Sequence, residues 1–225
     1  KGAKGGTTRI IVERARAPWK AVDIDTGGIR NLPLSEVWFE DYPIPRDNVL
    51  GEPGGGTEAF YRGVEASRAF VGMQSVGIAQ DALDRALKYV RERVAFGRPI
   101  GKFQLIQGAL ADAAAELDAA RLLCLRALAI MDTGQRCPRE ASMAKVYATE
   151  AAVRICHTAM DCMGSFGLSE EAGVEERWRD ARMLTVIAWP DPDDGATMMS
   201  PVRDYGHTLT GDVKGLTIAV PRDYY

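Results

Sequence analysis

The chemistry most easily read from the chain lies where a helix-like segment meets a turn at Arg93. Arg93 is followed by Val94 and Ala95 and then by Phe96-Gly97, a turn that contains glycine. An arginine at a helix end offers a charged fork, and a glycine turn exposes backbone N–H groups, so together they suit a phosphate-bearing ligand. Taken alone, Arg93 is more simply a solvated helix end, and its interpretation depends on the surrounding segment.

Cysteines and histidines are the other residues that could bind an ion. The chain has 4 cysteines and 2 histidines, at Cys124, Cys137, Cys156, Cys162, His157 and His207. Cys156 and Cys162 have a poor ligand spacing for a helix, and so few histidines add little to them. We therefore expect no metal site, and we interpret the cysteines as reduced, buried thiols of a cytoplasmic protein.

Composition narrows the class of protein further. The 225 residues are 46% hydrophobic and 26% charged, with a formal net charge of -3. These values are those of an ordinary soluble protein without the basic surface that nucleic acid requires. No segment approaches the roughly 20 apolar residues of a membrane span, and no secretory signal is recognisable. The sequence starts at Lys1 instead of Met, so any earlier segment and its targeting address would lie outside it.

The first part of the chain predicts strands. Residues 9–13 form a β-branched run, and residues 36–40 form a second run with aromatic side chains. Gly27-Gly28 and Pro33 separate the two runs as turns. Because two or three strands are marginally stable in isolation, we interpret residues 1–52 as part of a β-domain that needs more sheet than this chain provides.

Long helices follow a glycine-rich stretch. Thr57 is the predicted N-cap of the first helix, and Pro138 lies in the predicted first turn of the third. Short connections and many alanines predict close antiparallel packing. The fold class is therefore mainly α, with a four-helix up-down bundle over residues 57–186 preceded by the partial β-domain. Helical spacing of apolar residues places the helices at about residues 57–89, 105–128, 138–164 and 174–184.

The last part of the chain differs from the helices. Residues 190–195 are a cluster of prolines, aspartates and a glycine that no core helix would tolerate. Residues 216–220 form a strand-like apolar run, and a strand without a partner in the sequence is an unpaired edge. We therefore expect residues 187–225 to form an irregular C-terminal tail that is not an independent domain.

Four segments are distinctive and follow one another in a particular order. They are Asp-Asn-Val-Leu-Gly at residues 47–51, Tyr-Val-Arg-Glu-Arg-Val-Ala-Phe-Gly-Arg-Pro-Ile at 89–100, Glu-Ala-Ser-Met-Ala-Lys at 140–145 and Val-Glu-Glu-Arg-Trp-Arg-Asp-Ala-Arg at 174–182. Together they resemble the acyl-CoA dehydrogenases, flavoproteins that oxidise acyl-CoA thioesters. The second segment is specific to that family. The resemblance covers about residues 5–186 and matches the C-terminal half of such an enzyme.

The resemblance implies a site for FAD at the turn after the first helix. In the family, the position of Arg93 contacts the FAD of a neighbouring subunit, the position of Phe96 packs on it, and the positions of Phe103-Gln104 contact the flavin. Gly164 lies in a turn that also approaches the partner's FAD. Asp161 replaces the usual glutamine nearby, where a carboxylate would repel a pyrophosphate, and it is alternatively part of an ordinary helix end. The implied partner is a second copy, in a homo-oligomer (dimer or tetramer), or a related subunit.

Glu65 and Arg68 match the segment that lines the family's acyl-CoA channel. There, Arg68 would neutralise part of the charge of the ligand, and Glu65 would accept a hydrogen bond from an amide of its pantetheine arm. Because the two residues are three apart, they could instead form an i,i+3 ion pair on a helix face, worth about 0.3 kcal/mol. Both interpretations stay open at this point.

The catalytic base is where the sequence departs from the family. The reaction needs a carboxylate with a raised pKa in a dry cavity to take the α-proton, and most members carry this glutamate shortly after the position of Arg182. Residues 183–190 here are Met-Leu-Thr-Val-Ile-Ala-Trp-Pro, without a carboxylate. Some relatives supply the glutamate at the position of Ser67, from which Glu65 is two residues and roughly 200° around a helix away. The catalytic residue is therefore unknown.

The tail resembles a different family. Residues 186–194, 204–205 and 216–224 are similar to an internal stretch of the amidase-signature hydrolases. The nucleophile, bridging serine and lysine of that family would lie upstream and have no counterpart here, so amidase activity is not expected. We interpret the chain as a join of two unrelated reading frames near residue 186, natural or artefactual. Two functions remain: an incomplete flavin-dependent dehydrogenase without its base, or a non-catalytic helical module that binds a complete relative.

Overall fold

The computed structural model describes residues 7–15 and 19–186. The start of the third helix lies beside the first part of the first helix, so these two helices run in the same direction. The second helix connects them and therefore runs in the opposite direction. The end of the fourth helix also lies beside the first turns of the third, so these two helices are antiparallel. The predicted four-helix up-down bundle is therefore confirmed. Within the described ranges the four helices are α1 (Gly56–Glu92), α2 (Gln104–Asp132), α3 (Pro138–Met163) and α4 (Val174–Val186).

Small residues allow these helices to approach closely. The buried face of α1 consists largely of alanine, glycine and serine, including Ala69, Ala79 and Ala82. Gly72 of α1 approaches α2 so closely that a Cβ atom there would lie 2.7 Å from Cys124 Sγ. Because alanine loses no side-chain entropy in a helix, the same residues favour helix formation and permit close packing.

The N-terminal strands form two separate antiparallel pairs. Strand β1 (Arg9–Ile10) pairs with β4 (Val49–Leu50), and β2 (Lys20–Ile24) pairs with β3 (Leu34–Trp38). The prediction of strand structure near residues 9–13 and 36–40 is confirmed, whereas β2 was missed because its Lys20 and Asp23 weaken the β-propensity signal. Every residue of β2 is exposed, so neither face of that strand is buried within the described residues.

One loop of the strand region is anchored on α4. The backbone N–H of Ile29 donates to Asp180 Oδ1 at 2.6 Å, and Arg179 Nη1 donates to Gly27 O at 2.8 Å. A Cβ atom on Gly28 would lie 2.5 Å from Arg179 O, so a larger residue there would displace the loop. Arg179 and Asp180, both within the distinctive segment 174–182, thus connect the strands to the bundle.

The helix starts correct one prediction and confirm another. Thr57 is not an N-cap, since α1 begins at Gly56 with Gly55 as its cap. Thr57 Oγ1 instead lies 2.7 Å from Thr7 Oγ1 and ties the first described residues to α1. Pro138 lies in the first turn of α3 as predicted, where its missing N–H leaves no helical hydrogen bond unmade.

The remaining predictions concern cysteines, metals and the tail. Cys124, Cys137 and Cys156 are buried, as expected of small apolar side chains, whereas Cys162 is only partly buried. Burial raises the pKa of the Cys124 thiol to about 11. A thiol with so high a pKa is protonated and unreactive at neutral pH. The described ranges contain no cluster of three or more metal-ligating side chains, and none of their helices could cross a membrane. Residues 187–225, the predicted tail, lie outside the described residues.

Candidate functional site

The two ends of the bundle carry different chemistry. Helix α1 has 37 residues and is therefore about 55 Å long, so groups at its two ends act separately. We call the end where α1 and α3 finish and α2 begins the Arg93 end. The opposite end, where α2 and α4 finish and α3 begins, is the Glu65 end.

At the Arg93 end, α1 passes directly into a tight hairpin. Arg93 caps α1, and its carbonyl oxygen accepts a hydrogen bond from Ile100 N–H at 2.8 Å. Between these residues, β5 (Val94–Ala95) pairs with β6 (Arg98–Pro99). The hairpin fixes the direction in which the chain leaves α1. The Arg93 guanidinium makes no hydrogen bond or ion pair within the described ranges, so its donors are available to a ligand.

Phe96, at the tip of this hairpin, is both strained and exposed. Its φ of 53° lies in the left-handed region that bulky residues rarely adopt, and the residue is 95% exposed. The ring of Phe96 meets that of Phe103 edge-on, with centroids 6.1 Å apart, and Arg98 Cζ lies 4.3 Å from the centroid of Phe103. Gln104 is exposed at the first position of α2. Two aromatic rings and Arg98 therefore meet at this hairpin, which directly follows Arg93 in the chain.

The fold brings Gly164 to the same end. Gly164 follows α3 with a φ of 61°, a conformation that favours glycine. Phe166, just beyond it, stacks on Tyr89 near the end of α1, with ring centroids 5.2 Å apart. Asp161 is largely exposed and lies 3.5 Å from His157 Nε2 on its own helix. The residues predicted to contact the cofactor thus share one end of the bundle: Arg93, Phe96, Phe103, Gln104 and Gly164.

Two residues of this end, Tyr89 and Arg98, were not singled out from the sequence. Both lie within the segment 89–100, so their proximity to Arg93 in the sequence was the available signal. Tyr89 positions the Gly164 turn, and Arg98 covers one face of Phe103. A cleft of about 520 Å³ adjoins the hairpin and is lined by apolar and basic side chains, among them Val90, Arg91, Lys102 and Leu110.

Glu65 is buried, and both of its carboxylate oxygens accept hydrogen bonds. Oε2 accepts from Arg136 Nε at 2.7 Å, and Oε1 accepts from the backbone N–H of Cys137. Burial pushes the pKa of Glu65 upward, but the Cys137 amide and the Arg136 guanidinium together outweigh burial and hold the pKa below its usual value. Because Cys137 immediately precedes α3, Glu65 joins α1 to the N-terminus of α3.

Arg68 lies one turn further along α1 and reaches α3. Its Nη1 donates to Ser142 Oγ at 3.2 Å, and that hydroxyl donates in turn to Pro138 O at 2.6 Å. The ion pair that the structure shows for Glu65 is formed with Arg136. Both Glu65 and Arg68 are therefore connected to the first turns of α3.

A cleft of about 580 Å³ opens between the starts of α1 and α3. Its lining includes Glu65, Arg68, Tyr61 and Arg136. Two guanidinium groups and a phenol offer donors, and the carboxylates of Glu58 and Glu65 offer acceptors, so the cleft suits a ligand that has amide as well as anionic groups. Ser67, at the alternative position for the base, is exposed on α1.

A buried lysine also lies at the Glu65 end. Lys145 is 8% exposed, and its Nζ donates to Thr185 O, in the last turn of α4, at 2.9 Å. An ammonium group is favoured at a helix C-terminus. Burial lowers the pKa of Lys145 to about 8, against an opposing contribution from Glu150. Sequence reasoning quoted Lys145 only as part of the segment 140–145 and assigned it no role.

Comparison with known proteins identifies the class to which this helical bundle belongs. Residues 54–188 match the family described as acyl-CoA dehydrogenase, C-terminal domain. The chain belongs to the acyl-CoA dehydrogenase family. The resemblance drawn from the four segments is therefore confirmed, both for the family and for the C-terminal half.

Individual relatives cover most of this chain. The human mitochondrial short-chain specific acyl-CoA dehydrogenase is 42% identical over 162 residues, which are 72% of this chain and 39% of the relative. The caffeyl-CoA reductase-Etf complex subunit CarC of Acetobacterium woodii is 36% identical over 186 residues, 83% of this chain and 49% of that protein. The solved structure of butyryl-CoA dehydrogenase from Megasphaera elsdenii has a TM-score of 0.78 at 33% identity, covering 80% of this chain and 47% of that one. The chain thus spans less than half the length of each.

Proposed function

We propose that this chain supplies the C-terminal helical part of a flavin-dependent acyl-CoA dehydrogenase and carries no catalytic base of its own. The observation that carries the proposal is the cluster at the Arg93 end, where the rings of Phe96 and Phe103 meet and Arg98 lies over the ring of Phe103. Membership of the family supports the same chemistry. When bound, FAD supplies the acceptor for the hydride that leaves the acyl-CoA thioester.

The residues of the Arg93 end fit FAD by their chemistry. The Arg93 guanidinium can form two parallel hydrogen bonds with a phosphate, and the exposed ring of Phe96 can pack on a planar ring system. Gln104 offers both donors and acceptors, beside Phe103. Gly164 brings its turn to the same surface. Because Phe96 and Gln104 face outward, we assign them to FAD held mainly by another subunit.

The cleft at the Glu65 end is our candidate for the acyl-CoA site. Arg68 and Arg136 line it and would neutralise part of the ligand's negative charge. Glu65 accepts one hydrogen bond at each oxygen, and a carboxylate oxygen has room for a second. The prediction that Glu65 accepts from a pantetheine amide therefore remains compatible with its internal contacts.

The same geometry argues against Glu65 as the base. Removal of a proton from carbon calls for a carboxylate whose pKa is raised, whereas Arg136 and the Cys137 amide hold the pKa of Glu65 down. Ser67 has no carboxylate, and residues 183–190 contain none. These observations support a chain that binds cofactor and thioester without itself removing the α-proton.

Flavin titration of the full chain tests the Arg93 end. We expect the purified protein to lack the yellow colour of stoichiometric FAD, yet to bind added FAD weakly and saturably. Arg93→Ala should weaken that binding at least about fivefold, equivalent to about 1 kcal/mol. Arg62→Ala is the matched control, since Arg62 is exposed near the other end of α1 and pairs with Glu58. Equal affinities of the two variants, or the absence of saturable binding, would contradict the proposal.

The missing carboxylate favours a second candidate function, a non-catalytic helical module that pairs with a complete relative. Turnover of butanoyl-CoA by the full chain, with FAD and a dye as electron acceptor, tests for the base. We chose this substrate because relatives are named short-chain specific and butyryl-CoA dehydrogenases. We expect no turnover. Turnover by the wild-type chain would show that it holds a base of its own and would overturn our assignment.

A further inference from the structure

A cleft between α1 and α2, beside the hairpin at the Arg93 end, has the size and lining of a small-molecule site. Its volume is about 520 Å³, within the range of roughly 300–1,000 Å³ that is usual for such sites. We call it the hairpin cleft; it is lined by residues from 87–91 of α1, from 99–102 after the hairpin tip and from 107–114 of α2. The cleft is therefore built from two helices and the chain that connects them.

The walls of the hairpin cleft are mainly apolar. Leu87 lies on the α1 side, and Leu110, Ala111 and Ala114 lie on the α2 side. Ala111 and Ala114 are exposed, and their small side chains leave the space between the helices open. Because the α2 wall spans two helical turns from Gln107 to Ala114, about 10 Å, the cleft suits an unbranched alkyl chain.

Two basic side chains, Arg91 and Lys102, line the cleft, and no acidic side chain of the described residues does so. Neither Arg91 nor Lys102 makes a side-chain hydrogen bond or an ion pair within residues 7–15 and 19–186. Other arginines of α1 differ in this respect, because Arg62 and Arg85 each pair with a carboxylate four residues earlier. The corresponding residue for Arg91 is Leu87, which belongs to the apolar wall. The positive charge in the cleft is therefore available to a ligand.

Neighbouring charges strengthen the preference of the cleft for an anion. Lys88 lies three residues before Arg91 on α1 and has the same sign. Glu92 lies about 100° further around α1 than Arg91 and does not line the cleft. An anionic group is attracted to such a site, whereas a cationic group is repelled.

Beyond the cleft, α1 and α2 are bridged by polar side chains that already have partners. Arg121 of α2 donates to Gln80 of α1 and to Asp118, each at 2.6 Å. Gln80 in turn donates to Asp84 at 3.0 Å. Since these groups bond one another, a ligand with one charged group binds with that group beside Arg91 and its apolar part along the walls.

We propose that the hairpin cleft binds a free unbranched carboxylate, an alkyl chain that ends in one carboxyl group. The carboxylate accepts hydrogen bonds from Arg91 and Lys102, and the alkyl chain is removed from water against Leu87 and Leu110. The proposal depends on neither FAD nor a thioester, so it is tested without either ligand.

Isothermal titration calorimetry of the full chain with decanoate, kept below the concentration at which it forms micelles, measures this binding. We expect saturable binding of one decanoate per chain. Decyltrimethylammonium has the same tail with the opposite charge and should bind at least about tenfold more weakly. Acetate has the charge without the tail and should show no saturable binding. Equal binding of decanoate and decyltrimethylammonium, or the absence of saturable decanoate binding, would overturn the proposal.

Variants of exposed residues locate the site without disturbing the fold. Arg91→Gln and Lys102→Gln should each weaken decanoate binding at least about threefold, because each removes one positive charge from a partly solvated site. Arg139→Gln is the control, since Arg139 is exposed in the first turn of α3. Ala114→Leu fills part of the cleft and should weaken binding at least about fivefold, whereas Ala115→Leu adds the same atoms outside the lining and should leave it unchanged. Wild-type affinity in Arg91→Gln, Lys102→Gln and Ala114→Leu would place decanoate elsewhere and overturn the proposal.

Discussion

The two ends of the helical bundle differ in whether their charged residues are buried or exposed. At the Glu65 end, Glu65 and Lys145 are buried, and each bonds a backbone group of another helix, at Cys137 and Thr185. At the Arg93 end, the guanidinium of Arg93 lies at the surface beside a strained, exposed turn. A buried charge needs such internal partners, whereas an exposed one keeps its hydrogen bonds for a ligand. The contrast separates residues that hold the fold from those available to a cofactor.

The largest effect that this contrast predicts is at Glu65. Glu65→Ala should lower the free energy of unfolding by about 3 kcal/mol, because it removes a buried carboxylate and leaves the Cys137 amide without its acceptor. Equilibrium unfolding in urea measures the change. Glu58→Ala is the control, since the Glu58 side chain is 71% exposed and should change stability by less than about 0.5 kcal/mol. Equal effects of the two variants would show that the buried contacts of Glu65 add nothing to stability, and would contradict its role in holding the fold.

Lys145 should make stability depend on pH in the alkaline range. Its pKa is about 8 in the folded chain, against a usual value of 10.5, so between these values the unfolded chain binds more protons. The free energy of unfolding therefore rises with pH above pH 8, as the folded chain loses the Lys145 proton before the unfolded chain does. Below pH 8, Lys145 is charged in both states, and the folded chain bears the full cost of burying that charge. Between pH 8 and pH 10 the gain is about 2 kcal/mol.

The variant Lys145→Met isolates this contribution. Unfolding free energies measured at several pH values should rise less, or fall more, with pH in Lys145→Met than in the wild type. Thiols with raised pKa values, such as Cys124 and Cys156, act in the opposite direction above about pH 9, but they are common to both proteins. Only the difference between the two profiles is informative. Parallel profiles would show that Lys145 does not titrate as its burial requires.

The same contrast explains what the sequence could predict. The residues of the Arg93 end are mostly contiguous in the chain, and helical spacing is a local pattern, so both could be predicted from neighbouring residues. The partners of Glu65 could not, because Arg136 is 71 residues away and no local pattern connects them. The burial of Lys145 could not be predicted either, because it depends on the end of α4, which is distant in the sequence. A site built from one segment can therefore be predicted from the sequence, whereas a buried charge pair between helices can be identified only once the fold is known.

The smallest expected effect is at Phe96. It tests whether the conformation that suits this residue to FAD binding also lowers the stability of the fold. Phe96 has a φ of 53° and is 95% exposed. Its backbone strain lowers the free energy of unfolding, and its side chain adds little stability through packing, as is common for residues at ligand sites. Phe96→Gly should therefore raise the free energy of unfolding by about 0.5 kcal/mol while weakening FAD binding. Phe96→Ala removes the ring but keeps the strained backbone, so it should weaken binding without the gain in stability. Equal unfolding free energies for the two variants would show that the backbone conformation at this position carries no strain.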